Sequence, residues 1–170
     1  EKGTNRSRFF RGQVDKYSWV DVGSSYLPAE VIAAFLAAQL DAADELTARR
    51  LAIWQQYHSW AEHWEQQGAL VRPVIPEHCR HNAHMYYLVL PDLAARTRFI
   101  DGLRQHDVSA VFHYVPLHTS DAGRRFGRVA GELPQTLRAG NCLVRMPMWV
   151  GLEDYMPQVL DAADAAMRQM

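Results

Sequence analysis

The sequence predicts a small α+β fold, with helices laid on a sheet of about three strands and attached to one long helix. Three observations carry this expectation. Apolar residues recur by threes and fours from Pro28 onward; three short runs dense in aliphatic and aromatic residues, HMYYLVL, SAVFHYV and CLVRMPMW, stand well apart; and helical stripes fill the intervals between them.

Taken in order, residues 1–27 read as polar loop. From Pro28 the apolar positions Ile32, Phe35, Leu36, Leu40, Ala43, Leu46, Leu51, Trp54, Tyr57 and Trp60 predict a single amphipathic helix over 28–68. Pro28 suits its first turn, where a missing N–H costs nothing, and Gly68 ends it or follows its end. About 35 helical residues span roughly 50 Å, more than a small domain needs, so the helix reads as a connector or an interface. Glu45 and Arg49 make an i,i+4 surface pair, and the like charges of Glu62 and Glu65 read as a solvated face. Residues 69–170 form the α+β part. HMYYLVL (84–90) is a strand closed by Pro91, and LAARTRFIDGLRQH is a helix with Leu93, Phe99, Ile100 and Leu103 on one stripe. SAVFHYV is a strand ending at Pro116, and 119–132 is a Gly-rich, charged loop with a helical turn. LPQTLRAGN is a short helix and CLVRMPMW a strand. The final helix turns Tyr155, Val159, Leu160, Ala163 and Met167 inward. There is no internal repeat.

Composition bounds the function. With 170 residues, 48% of them hydrophobic, and a formal net charge of -1, the chain supports one compact domain with a core and is not disordered. It has no apolar run near the ~18 residues a membrane span needs, and EKGTNRSRFFRG lacks the apolar centre of a signal peptide. A soluble, cytoplasmic protein that binds neither membrane nor nucleic acid is expected. The local excess of Lys2, Arg6, Arg8, Arg11 and Lys16 over Glu1 and Asp15 suits one anionic small molecule or a solvated surface. Cys79 and Cys142 are too few for a disulfide framework and are expected to be free and buried. The chain opens on Glu1 rather than Met, and reads as a piece of something larger.

Several motifs invite chemistry. EHCRHNAH offers His78, Cys79, His81 and His84 as nominal zinc ligands, but so short a run demands a tightly wound loop and His84 starts a strand that aims it elsewhere; no metal is expected. His58 and His63, five apart on a helix, point about 140° apart. No G-x-S-x-G elbow supports a nucleophile. VGSSYLP (22–28), with Gly23 for an unusual turn and Ser24 and Ser25 for hydroxyls before a helix start, is either a phosphate site or a simple N-cap. In AVFHYVPLH (110–118), Pro116 breaks the strand and leaves His118 on a loop, while His113 and Tyr114 face opposite sides. Spacing alone leaves His113, Tyr114 and His118 between binding groups and buried, hydrogen-bonded core.

EKGTNRSRFFRGQVDKYSWVDVGSSYLPAEVIAAFLAAQLDAA, NAHMYYLVL, AVFHYVPLH and VRMPMW, in this order, closely resemble the C-terminal half of the DegT/DnrJ/StrS family, and the resemblance covers essentially the whole chain. These are pyridoxal-phosphate (PLP)-dependent nucleotide-sugar aminotransferases of the aspartate-aminotransferase fold, PLP fold type I. The resemblance implies that 1–27 is the end of a large cofactor domain with active-site loops, 28–68 a connector helix, and 69–170 the C-terminal small domain, the large domain being absent. It is strongest to the branch that moves an amino group from glutamate to the 4-keto carbon of TDP-4-keto-6-deoxyglucose. That reaction gives TDP-4-amino-4,6-dideoxygalactose for lipopolysaccharide or another surface polysaccharide, in a homodimer with active sites at the interface.

By the same resemblance, Ser24, Ser25 and Tyr26 stand in the loop that reaches the cofactor phosphate, with Ser25 where many members have Asn and Leu27 where many have Arg. Arg8, Arg11 and Lys16 suit a diphosphate, which a guanidinium grips in a bidentate way. His84 opens the family's H-x-Y strand, and His113, Tyr114 and His118 border the substrate pocket. No catalytic residue falls in the chain: its lysines, Lys2 and Lys16, do not stand where the family's imine lysine does, and that lysine lies upstream of Glu1. The fragment alone is expected to be inactive and not to retain PLP. The contrasting expectation is a non-catalytic α+β module that dimerises through the long helix.

Overall fold

A computed structural model describes residues 4–16, 18–24 and 26–170. The chain divides into two compact units, residues 1–43 and 44–170. In the first, part of the expected loop is helical: α1 (Arg6–Phe10) is followed by an antiparallel bridge between Thr4 and Trp19. Asn5 ties that bridge together. Its backbone N–H donates to the Ser18 carbonyl at 3.2 Å, and its Oδ1 accepts from the Ser18 N–H at 2.8 Å.

Helix α2 (Glu30–Asp41) follows, with Ala29 as an N-cap that has no capping side chain. Pro28 therefore lies outside the helix rather than in its first turn, and neither Ser24 nor Tyr26 caps it. No residue of α2 is buried: Ile32, Leu36 and Leu40 are exposed, and Phe35 is 70% exposed. The single helix expected over 28–68 is interrupted. Ala42 (φ -100°, ψ 7°) leaves helical geometry, and α3 (Ala43–Gln66) begins anew. Charge placement accounts for the break. Asp41 sits at the negative end of α2 with no basic residue in its last turn, whereas Asp44 and Glu45 sit in the first turn of α3, where the helix dipole favours carboxylates.

The second unit holds the core. Helix α3 ends at Gly68 (φ +72°), whose N–H donates to the Glu65 carbonyl at 2.9 Å while the Ala69 N–H reaches Trp64 at 3.0 Å. This pair of bonds closes the helix and needs the left-handed backbone that glycine adopts freely. Then come β1 (Tyr86–Val89), α4 (Leu93–Gln105), β2 (Val111–Phe112), α5 (Asp121–Phe126), α6 (Pro134–Cys142), β3 (Leu143–Met146) and α7 (Met156–Met167). The three strands form one sheet in the order β1-β3-β2, each outer strand antiparallel to β3. The β1-α4-β2 unit is thus split by the last strand in sequence.

Strand alternation sends Tyr86, Leu88, Val144 and Met146 to one face, where all four are buried with Phe99 and Leu103 of α4 and Val159 and Ala163 of α7. Each such large side chain contributes about 1.5–3 kcal/mol by leaving water. From α3, Ile53, Trp54, Tyr57 and Ala61 join them. Tyr57 stacks on Tyr86 with ring centres 5.1 Å apart and donates its hydroxyl to the Pro147 carbonyl at 2.9 Å. Trp60 and Trp64 both donate indole N–H bonds to Asp164 Oδ1, at 2.8 and 3.0 Å, which fixes α3 against α7. Tyr155, expected inward, is exposed, because it closes a 3-10 turn (Leu152–Tyr155) before α7 rather than lying on the helix.

Two surface expectations change. Arg49 does not pair with Glu45 but crosses to Glu153, 2.7 Å away. Glu62 and Glu65 are not a solvated face: they hold Arg72, whose Nε donates to Glu65 Oε2 at 2.7 Å and whose Nη2 reaches Glu62 Oε1 at 3.4 Å. Cys142 is buried as expected, and Cys79 is exposed.

Helices α4 and α7 touch at Gly102. A Cβ added there would lie 2.9 Å from Ala166 Cβ and 3.2 Å from its Cα. Helix propensity alone favours Gly102→Ala by about 1 kcal/mol, but overpacking opposes it by about 1–3 kcal/mol. G102A is expected to lower the free energy of chemical unfolding, and the added Ala166→Gly change to restore most of the loss. An unchanged or raised midpoint in G102A would show that the two helices are not held at this distance.

Candidate functional site

The AVFHYVPLH segment is shaped by where its neighbours end. β2 pairs with β3 only through Val111–Arg145 and Phe112–Val144. Continuing the ladder would oppose Tyr114 to Cys142, but Cys142 closes α6, so the partner strand runs out. The strand therefore stops at Phe112, four residues before the Pro116 that was expected to stop it. Pro116 (φ -56°) instead opens a 3-10 turn, Leu117–Thr119, and its carbonyl accepts from the Thr119 N–H at 3.0 Å and the Thr119 hydroxyl at 2.8 Å. Ser120 then caps α5, its Oγ accepting from the Gly123 N–H at 3.0 Å. His118 lies within that turn and is held by it.

The structure brings His113, Tyr114 and His118 together. They line one open groove of about 480 Å³ with Val115, Pro116 and residues that the sequence did not suggest, Leu133 at the N-cap of α6 and Thr136, Ala139 and Gly140 within it. His113 is half-buried, Tyr114 is 75% exposed, and their rings meet edge-on at 5.1 Å. Neither is core. Gly140 permits the close approach of α6, since a Cβ there would lie 2.7 Å from Pro116 Cδ. On its other side the same segment lines a larger groove, about 780 Å³, with Val111, Phe112 and Arg145.

The other expected residues are placed separately. His84 is exposed, two residues before β1, and its backbone N–H donates to Asn82 Oδ1 at 3.2 Å while its Nδ1 lies 3.0 Å from the same oxygen. It lines neither groove. In the first unit, Arg8 is exposed on α1, Arg11 ends that helix with Nε donating to the Ser7 carbonyl at 3.1 Å, and Lys16 is exposed. Ser24 is exposed and Tyr26 is 89% exposed, both outside any helix or strand before α2, while Ser25 lies outside the described residues. Among the described residues no group of three or more His, Cys, Asp or Glu side chains is arranged to hold a metal ion. The histidines of EHCRHNAH diverge, with His81 packed edge-on to Trp54 at 4.8 Å and His84 turned to Asn82.

One titratable cluster lies away from the grooves. His58 stacks on Trp54 at 4.4 Å and faces Tyr86 at 6.3 Å, with Glu62, Glu65 and Arg72 around it. Burial, and then the Arg72 charge, pushes its pKa below the ordinary imidazole value. The Glu65 carboxyl is held below its usual range by the Arg72 backbone N–H and guanidinium. Burial pushes the hydroxyls of Tyr57 and Tyr86 up. Among the described residues no helix is long and apolar enough to cross a membrane.

Comparison with known proteins places this architecture. Residues 2–162 match the DegT/DnrJ/EryC1/StrS aminotransferase family. The chain belongs to this family. An uncharacterized protein of Methanocaldococcus jannaschii, MJ1066, is 26% identical over 156 residues, covering 89% of this chain and 39% of the relative. Among solved structures, the PMP-form of the putative sugar aminotransferase Spr1654 from Streptococcus pneumoniae superposes with a TM-score of 0.79 at 18% identity, over 98% of this chain and 40% of that one. DesV from S. venezuelae gives 0.75 at 24% identity, over 96% and 43%. The chain thus spans about two fifths of the length of these relatives. Its α+β fold is that of a part of PLP fold type I aminotransferases, as the sequence predicts.

Two measurements check the geometry. Gly140→Ala should displace Pro116 and shift the ring resonances of His113 and His118 with little loss of melting temperature; unmoved rings would mean that α6 does not press on the turn. For His58 the lowered pKa means that the unfolded chain takes up the proton first. Its contribution to stability is then full above about pH 6.5 and lost as pH falls through the folded value. Urea midpoints should fall from pH 7 to pH 5, and the slope should be shallower in His58→Gln; an equal slope in both would show that His58 titrates as it does unfolded.

Proposed function

We propose that the chain is the C-terminal part of a PLP-dependent sugar-nucleotide aminotransferase, working as a cytoplasmic homodimer. The reading assigns it transfer of the glutamate amino group to the 4-keto carbon of TDP-4-keto-6-deoxyglucose, for lipopolysaccharide or another surface polysaccharide. The observation that carries the reading is the family match over residues 2–162, which includes the segment that builds the groove of His113, Tyr114 and His118. Residues 1–27 would belong with the cofactor domain, 28–68 with the connector and 69–170 with the small domain. The apolar stripe of α2, from Ile32 to Leu40, supports a packed partner surface, since so many exposed large side chains on one short helix mark an interface.

The chain's own residues fit only one end of the cofactor. Ser24 and Tyr26 are exposed and carry hydroxyls that suit a phosphate, with Ser25 between them. The lysine that anchors the cofactor would come from outside residues 1–170, because Lys2 and Lys16 do not match its position. When bound, PLP supplies the electron sink that lets an amine be exchanged. Arg8, Arg11 and Lys16 would neutralise the diphosphate. His113 and His118 would donate to or accept from sugar hydroxyls, with Tyr114 and His84 completing the polar edge.

Two experiments test this. In the complete enzyme, His113→Ala and His118→Ala are each expected to raise KM for the TDP-sugar about tenfold, the cost of about one hydrogen bond, with kcat and the KM for glutamate nearly unchanged. A change confined to glutamate would move these residues to the donor. For the 170-residue chain, PLP should be removed by gel filtration before borohydride is added, leaving at most scattered, substoichiometric adducts by mass spectrometry, and a stoichiometric adduct confined to Lys16 would refute the assignment of the anchoring lysine. A complete protein that stays colourless with PLP and turns over no sugar would leave a non-catalytic dimerisation module as the reading.

A further inference from the structure

Arg145 occupies an unusual place. It lies on β3, the middle strand, and its alternation places it on the sheet face opposite the core, in a cross-strand row between Tyr87 on β1 and Val111 on β2. Its neighbours along the strand, Val144 and Met146, are buried in the core. Among the described residues, the ion pairs involve Arg49, Arg72, Arg104 and Arg168, each with a carboxylate, and Arg145 has none. Of its five donors, Nη2 makes one long bond to the Phe112 carbonyl at 3.4 Å, and the guanidinium carbon lies 5.7 Å from the centre of the Tyr114 ring. Its Nε is buried without a partner. So is Nδ1 of His113. Both residues line the same groove, whose other walls, Val111, Phe112, Val115 and Leu117, are apolar.

A half-buried cation with free donors and no counter-charge is costly, and what compensates it is an anion that arrives from solution. A planar guanidinium fits two oxygens of one group side by side. Arg96 differs in place rather than in that atom: its Nε is likewise buried without a partner, but its guanidinium lies 5.2 Å from the centre of the Phe112 ring, its Nη1 donates to the Gly140 carbonyl at 3.0 Å, and it lines neither groove.

We propose that Arg145, with the His113 ring beside it, is the oxyanion-binding residue of this groove and takes a terminal carboxylate or phosphate. The assignment deepens the reading given above and rests on it only for which anion is physiological. Carboxylate would make Arg145 a determinant for the amino donor, and phosphate a determinant for the nucleotide sugar.

The test needs neither PLP nor turnover, so its failure is separable from failure of the transaminase reading. The 15N-labelled chain is titrated with pyrophosphate and, separately, with glutarate, following the Arg145 Nε–H and His113 ring signals. A saturable shift of both is expected, with a dissociation constant on the order of 1–10 mM, as suits one charged contact in an open groove. Shifts with glutarate alone assign carboxylate, shifts with pyrophosphate alone assign phosphate, and shifts with both leave a general oxyanion site. Arg145→Lys should weaken binding several-fold, Arg145→Gln should abolish it, and Arg98→Gln on the exposed face of α4 should leave it intact. If the wild-type signals do not move with either anion, the proposal is overturned and Arg145 only clamps β2 to β3. Equal shifts of the His113 ring in R145Q also overturn it. Because the wild-type titration stands alone, a poorly folded R145Q does not remove the test.

Discussion

Everything in the second unit depends on the pleat of β3. Both outer strands pair with it and neither pairs with the other. Its four residues, Leu143–Met146, therefore carry the whole ladder and at the same time sort side chains between two faces. Val144 and Met146 go to the core, while Arg145 goes to the face that the groove opens on. A slip of one residue would exchange these sets, burying the guanidinium among Leu88 and Phe99. The energetic penalty for that exchange makes core packing the guardian of the site's register.

The same economy shapes the groove. β3 starts as soon as α6 ends, so β2 finds only two partners and the chain from His113 to Ser120 must be held by other means. Those means are backbone constraints: the fixed φ of Pro116, the 3-10 turn that follows, the Ser120 cap, and the close approach that Gly140 allows. None of them depends on a long side chain, so the groove is framed while its polar groups, His113, Tyr114 and Arg145, stay available. On the far side of the core, Asp164 receives two indole N–H groups and Tyr57 reaches Pro147, so α3 is fixed by polar bonds as well as by burial.

Much of this was legible in the chain itself. The strands around Tyr86, Val111 and Leu143, the helices after Leu93 and Met156, and the stop at Gly68 all follow from period, proline and glycine, which act within a few residues. The family was legible in long segments of matching sequence. What escaped was non-local. Arg49 chose Glu153 over Glu45, four residues away, and Glu62 and Glu65 chose Arg72, beyond the helix end; such pairings depend on where the chain returns. The stop of β2 at Phe112 was hidden because it is set by the start of a strand some thirty residues later. Arg145 had one visible sign, a lone charge inside the apolar run CLVRMPMW. Its isolation shows only once every carboxylate has been placed.

The split order of the sheet also has a consequence in time. During synthesis the two outer strands leave the ribosome well before the middle one, and until residue 146 is made β2 has no strand to pair with and β1 has only the single bridge of Val89 to Val71. The unit cannot be assembled piece by piece from its N-terminal end. Its core and its groove come into being together, once β3 and α7, residues 143–167, have emerged.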